Sequence, residues 1–285
     1  MSTAYRHYSR QDVKREILDF CRGRWVALHY VDSKGNLIFK RYSNEKKPIK
    51  IEGESDLDAL NNGALKSIYA TINIYEVLQE VEDAYNLENI VYCTPTWDID
   101  SELVNWRETI QVAREILYFL GKWGIKVSAY VKWSGNGCHV HINERSISES
   151  IREKYNPLDI AYAIVEYVKS KISPKIAESS SSGKISVENK IDLARVFTCP
   201  LSLHRELNAV CICMRIEDIE KFRPDWINPQ DFIHNPNWRE FKDGEADILA
   251  EKAYKTIGGY LFKLRKRRRK TKPLDEQILE WLRKE

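Results

Sequence analysis

Apolar positions along this chain recur at two spacings, and the changes of spacing mark its elements. Val13, Ile17 and Phe20 return at helical spacing behind Ser9, a good N-cap, so the opening stretch to Arg22 is expected to be a helix. WVALHYV and NLIFKRY follow as strands around the turn sequence DSKGN. Residues 55–64 are polar and turn-rich. IYATINI (68–74) reads as a strand, and ENIVYCTPTWDID (88–100) as a buried strand broken at Pro95. Trp106, Ile110, Ala113, Leu117 and Leu120 form one helical stripe over 104–121, which Gly121 and Gly124 close.

Residues 125–133 alternate strictly. Ile125, Val127, Ala129, Val131 and Trp133 lie on one face, and Lys126, Ser128, Tyr130 and Lys132 on the other. SGNG and the short strand CHVHI (138–142) come next. Asn156 and Pro157 then start a helix as cap and first residue, running to about Lys171. SSSSG (179–183) reads as a loop. KIDL and NAVCICM read as strands on either side of VFTCPLSLH, and 222–242, rich in Pro, Asn and Trp, as a surface wrap. A helix is expected from about Gly244. Strands and helices without regular βαβ alternation predict an α+β fold, with mixed or antiparallel sheets flanked by helices. No second core is evident, so 1–262 is read as one domain and 263–285 as a basic tract plus a short amphipathic helix.

Composition narrows the class. An apolar fraction of 43%, with 15 Tyr and 8 Trp, suits a folded chain with a large core. No segment is apolar for long enough to span a bilayer, and the N-terminus lacks the apolar centre of a secretion signal, so a cytoplasmic location is expected. The six cysteines are scattered without a CxxC pair, which argues against a cysteine-rich zinc site. The tract KLRKRRRKTK (263–272) contributes +8 to a net charge of +3, so the rest of the chain is −5. Such a tract suits a phosphate backbone or a docking partner.

Three segments carry candidate chemistry. Asp98 and Asp100, two apart in an extended segment, share a face with Ile99 turned inward. Paired carboxylates of this kind repel unless a cation sits between them, and their hard oxygens suit Mg²⁺ or Mn²⁺. If 125–133 and 138–142 pair through SGNG, Lys132 lies opposite His139 and Tyr130 opposite His141. That face would bind anions, with Ser134 and Gly135 letting backbone N–H groups approach a phosphate. A zinc pair at His139 and His141 is the alternative, and Lys132 beside it argues against a metal. Asp192 stands in an apolar stretch and needs a cation or a donor, with Arg195 three residues on as one candidate. His204 closes the Pro-x-Ser-x-His turn.

In order and spacing these segments resemble the archaeo-eukaryotic primase superfamily, in particular the small catalytic subunit of DNA primase and its archaeal relatives. TWDID matches the first motif, WSGNGCHVHI the second, KID the third and CPLSLH the Pro-x-Ser-x-His element. The likeness covers roughly residues 5–215. It implies a primase-polymerase catalytic fold making RNA or DNA primers on single-stranded DNA. By that resemblance Asp98, Asp100 and Asp192 would hold two divalent ions. His139 and the loop residues Ser134 and Gly135, with Lys132, Arg195 and His204, would contact the NTP or dNTP. Arg41 resembles an early basic position. A primase large subunit is a possible partner. The chain departs from the pattern in having no cysteine over 143–189, where many small subunits carry a zinc-binding insertion. Other readings are a primase-like nucleic-acid-binding subunit without activity of its own, and a zinc hydrolase.

Overall fold

The computed structural model describes residues 2–179 and 185–260; the basic tract and the C-terminal helix expected after it lie outside them. The opening forms two helices, α1 (Thr3–Tyr8) and α2 (Gln11–Cys21). Ser9 ends α1 instead of starting α2, because its hydroxyl bonds back to the carbonyl of Tyr5 at 2.8 Å. After β1 (Val26–Val31) and β2 (Leu37–Lys40), the turn-rich stretch contains a short helix, α3 (Glu54–Leu60). Asp56 fixes its start by accepting the N–H groups of Glu52 and Gly53 at 2.8 and 3.1 Å. The strand expected over 68–74 divides at Ile72 into β3 (Leu65–Thr71) and β4 (Asn73–Tyr75). Pro95 likewise separates β5 (Ile90–Cys93) from β6 (Thr96–Asp100).

Helix α4 (Trp106–Lys122) buries Ile110, Ala113, Leu117 and Leu120. The hairpin β7 (Ala129–Trp133) and β8 (Cys138–Ile142) pairs as the alternation requires, Lys132 with His139 and Tyr130 with His141. Residues 126–128 do not join β7. The carboxylate of Glu245 accepts their three N–H groups at 2.9–3.2 Å, which removes them from any ladder and leaves Val127 49% exposed. Helices α5 (Glu149–Lys154) and α6 (Pro157–Ser179) follow. Asn156 caps α6 through the N–H of Leu158 at 2.9 Å, and α6 runs past Lys171. Strands β9 (Ser186–Glu188), β10 (Val196–Thr198) and β11 (Ile212–Met214) and helix α7 (Asp247–Ile257) complete the described chain. KIDL is not a strand.

Strand order is β10-β3-β1-β2 in one sheet and β11-β7-β8-β6-β9 in the other, with β4 and β5 as a ribbon. Every named pairing is antiparallel. The fold is therefore α+β, as expected. Helices α4 and α6 cover one face of the five-stranded sheet. Trp97 and Ile99 point to that side, and the indole of Trp97 donates to the carbonyl of Val165 in α6 at 3.1 Å. The opposite face meets Phe20 of α2 and Phe197 of β10. One contiguous apolar cluster runs through both sheets among the described residues. No helix among them is long and apolar enough to cross a membrane.

Candidate active site

Register across the five-stranded sheet sets a single row of side chains. Cys213 lies opposite Lys132, Lys132 opposite His139, His139 opposite Asp98, and Asp98 opposite Glu188. Directly opposed residues of an antiparallel pair share a face, so all five point away from α4 and α6. Asp100 lies one step along, opposite Ser186.

The acidic end of this row is tightly bonded. His139 Nε2 is 3.2 Å from Asp98 Oδ1, and Lys190 Nζ is 2.7 Å from Asp98 Oδ2. The same ammonium bonds Asp100 and lies 3.3 Å from Glu188. Burial alone would raise the pKa of Asp98, but His139 and Lys190 outweigh it and hold the carboxyl well below the usual range. Burial keeps His139 below its ordinary value even though Asp98 pulls it upward. The arrangement fits a neutral imidazole whose Nε2–H donates to Asp98, while the buried Nδ1 has no hydrogen-bond partner among the described residues.

Asp98, Ser134, His139, Lys190, Arg195 and His204 line one cavity of about 210 Å³, together with Tyr69, Phe197 and Arg205. His204 reaches it on a loop held from several sides. Ser202 Oγ accepts the N–H of Ile68 at 2.7 Å, and Leu203 N–H donates to Tyr8 at 3.0 Å. His204 Nδ1 accepts from the N–H groups of Leu207 and Glu206 at 2.9 and 3.2 Å, which places its ring proton on Nε2. The glycine loop fits closely between this imidazole and β6. A Cβ on Gly135, at φ 134°, would stand 2.4 Å from His204 Cδ2, and one on Gly137 would stand 2.2 Å from the carbonyl oxygen of Ile99. Trp133 pins the loop by donating to Gly135 O at 2.7 Å.

Three of the residues singled out from the sequence lie elsewhere. Lys132 is completely buried, with Nζ 4.5 Å from the centre of the Phe20 ring and no hydrogen-bond partner among the described residues. It is on the face that alternation assigns, but Phe20 of α2 covers that end of the row, and Lys132 does not line the cavity. His141 is buried too, stacked on Tyr130 with Nδ1 2.8 Å from Thr96 Oγ1, which removes it from any anion-binding surface. Asp192 does not line the cavity and is not among the carboxylates on Lys190. Its Oδ1 accepts the N–H of Ala194 at 2.7 Å, turning the chain back on itself, and it lies within electrostatic reach of Arg41. Arg41 stacks over Trp25 at 3.7 Å on that side.

Glu188 and Lys190 were not singled out from the sequence. The signal was present in ISVE, where Ile185 and Val187 alternate with Ser186 and Glu188. Among the described residues no three His, Cys, Asp or Glu side chains are already drawn in to metal-binding distance.

No known family model and no curated protein matches the chain. Among solved structures it is similar to the polymerase domain of Ligase D from Mycobacterium tuberculosis, determined in complex with DNA. That likeness has a TM-score of 0.55 at 13% identity, covering 90% of this chain and 88% of that one. At such identity the likeness is one of fold: the described α+β architecture resembles that of this domain.

Proposed function

We propose that this chain is a template-directed nucleotidyltransferase of the primase-polymerase type, joining an NTP or dNTP to a 3′-hydroxyl on a single-stranded DNA template. One observation carries the reading. Three carboxylates from two paired strands, Asp98, Asp100 and Glu188, converge on one cationic point beside a cavity whose other wall holds Arg195 and His204. The polymerase-type fold and the resemblance of the motifs to the primase superfamily support it.

The donor set fits divalent ions. Oxygen ligands alone suit Mg²⁺ or Mn²⁺, and the ammonium of Lys190 stands in for a cation among them. Asp98, Asp100 and Glu188 would hold the ions; Glu188 takes the place that the motif likeness gives to Asp192. Ions bound there would acidify the attacking hydroxyl and neutralise charge on the triphosphate. The rest falls to the chain's own groups. His139 fixes the carboxylate of Asp98 by donating from Nε2. The Nε2–H of His204, the guanidinium of Arg195 and the Ser134–Gly135 loop orient the triphosphate for in-line displacement of pyrophosphate. No side-chain nucleophile is needed.

The test is incorporation of labelled nucleotide with Mg²⁺ or Mn²⁺, comparing NTPs with dNTPs on primed and unprimed single-stranded templates. Wild type should give extended product. The double variant Asp98→Ala/Asp100→Ala should give none while keeping its circular dichroism spectrum. Undiminished incorporation by the folded double variant refutes the assignment. Nucleic-acid binding without incorporation by wild type would indicate a binding subunit or one that needs a partner.

A further inference from the structure

The side chain that gathers the acidic cluster is also the one that fills it. Lys190 Nζ lies 2.7 Å from Asp98 Oδ2 and 3.3 Å from Glu188 Oε2, and bonds Asp100 as well. Its neighbours fix where it starts. Asn189 donates to the carbonyl of Tyr162 in α6 at 3.2 Å and accepts the N–H of Ile191 at 3.1 Å, so the backbone on either side of Lys190 is tied down.

We propose that Lys190 is a resident counter-cation that competes with divalent ions for the acidic cluster, so that metal loading requires its ammonium to swing out. This rests on the proposed function. Three carboxylates sharing one point repel one another, and without a cation one of them would take up a proton. The ammonium keeps them ionised and facing inward, and the site is preformed. It also holds them too far apart. Mg²⁺–oxygen distances are about 2.0–2.1 Å, so the carboxylates must close in by roughly 1 Å around an ion. An ammonium and a divalent ion cannot share that space, because both are cations seeking the same oxygens. The exchange needs only rotation of the four-carbon stem of Lys190, with the backbone still held by Asn189. The side chain is 19% exposed and borders the cavity shared with Arg195 and His204, so the displaced head has a route to the side where triphosphate would lie.

The experiment titrates Mn²⁺ into the full chain without nucleotide and reads free Mn²⁺ by electron paramagnetic resonance. Lys190→Met should bind Mn²⁺ at least tenfold more tightly than wild type. Lys190→Gln, polar but uncharged, should match it, and Lys190→Arg should bind no more tightly than wild type. Equal or weaker binding by both uncharged variants, each shown to be folded, overturns the proposal, as does absence of binding in wild type and both variants. Asp98→Asn/Asp100→Asn serves as the control for the site itself. If that variant binds Mn²⁺ like wild type, the ions bind elsewhere and the functional reading fails, which is a different result from unchanged affinity at an intact site.

Discussion

One row of side chains crosses the five-stranded sheet, and its two ends have different chemistry. At one end Cys213 and Lys132 are buried, Phe20 of α2 closes over Lys132, and its Nζ has no hydrogen-bond partner among the described residues. At the other end Asp98 lines a cavity and is paired with His139 and Lys190, and Glu188, on the same ammonium, has a side chain 47% exposed. Strand register treats the two ends alike. What separates them is the cover: α2 lies over the first, while the second is bordered by the loop of His204 and the short strand β10. Two lysines, Lys132 and Lys190, thus come to opposite states. Burial depresses the pKa of Lys132, whereas Asp100 and Asp98 raise that of Lys190 against the pull of burial.

The sharpest way to break this contrast is at its open end. Asp98→Asn should cut incorporation by about 10³-fold or more, in keeping with loss of a charge aimed at the reacting centre. The protein should stay folded, because Ile99 and Trp97 keep β6 on the helices. A loss below tenfold, in the incorporation assay, would move the chemistry away from this end of the row. At the closed end the effect should fall on stability. Lys132→Met replaces an unpartnered buried amine with an apolar chain of similar length and should stabilise by about 1–3 kcal/mol. Incorporation should change less than threefold. Destabilisation on urea denaturation, or a tenfold loss of activity, would place Lys132 in the functional machinery after all.

Between the ends lies the Pro-x-Ser-x-His loop, where Ser202 is a brace. Ser202→Ala leaves the N–H of Ile68 without its acceptor and should destabilise by about 1–2 kcal/mol, measured by the same denaturation. A smaller shift would mean the loop is held chiefly by Tyr8 and the Leu201–Cys211 backbone bond.

The smallest effect concerns the covered histidines. Burial holds His141 well below its ordinary pKa, and His7 below its own. The unfolded chain therefore takes up protons below about pH 6.5 that the fold does not, and stability should fall as pH drops from 7 to 5.5. Each such histidine contributes a slope of about 1.4 kcal/mol per pH unit. His141→Gln should remove roughly one histidine's share. The depressed carboxyl of Asp98 adds its own loss only at far lower pH, and the difference in slope between wild type and His141→Gln reports the one imidazole. An identical slope in wild type and His141→Gln would show that His141 titrates normally.

Much of this was legible in the sequence, and the gaps have physical causes. Alternation over β7 and β8 specifies the pairing of Lys132 with His139, because period-two patterning fixes which residues share a face. It says nothing about what covers the face, and Phe20, which closes over Lys132, lies more than a hundred residues earlier. Asp192 looked like an acid in a strand because apolar residues flank it. Its own side chain overrides that pattern by capturing the N–H of Ala194. Val127 sits where alternation predicts burial, yet Glu245, far along the chain, draws its backbone out of the sheet. Glu188 was hidden by the shortness of β9, three residues with a polar majority. Local pattern and motif likeness single out Asp98, Asp100, Ser134, His139, Arg195 and His204; the fold brings all of them except Asp100 to one cavity, and Lys190, which lines that cavity, bonds Asp100.

The account turns on which acid joins Asp98 and Asp100, and parallel incorporation assays on Glu188→Gln and Asp192→Asn decide it directly. Glu188→Gln should lose about 10²-fold or more, and Asp192→Asn less than fivefold. The reverse order, with Asp192→Asn inactive and Glu188→Gln near wild type, would contradict the row of side chains as the seat of catalysis.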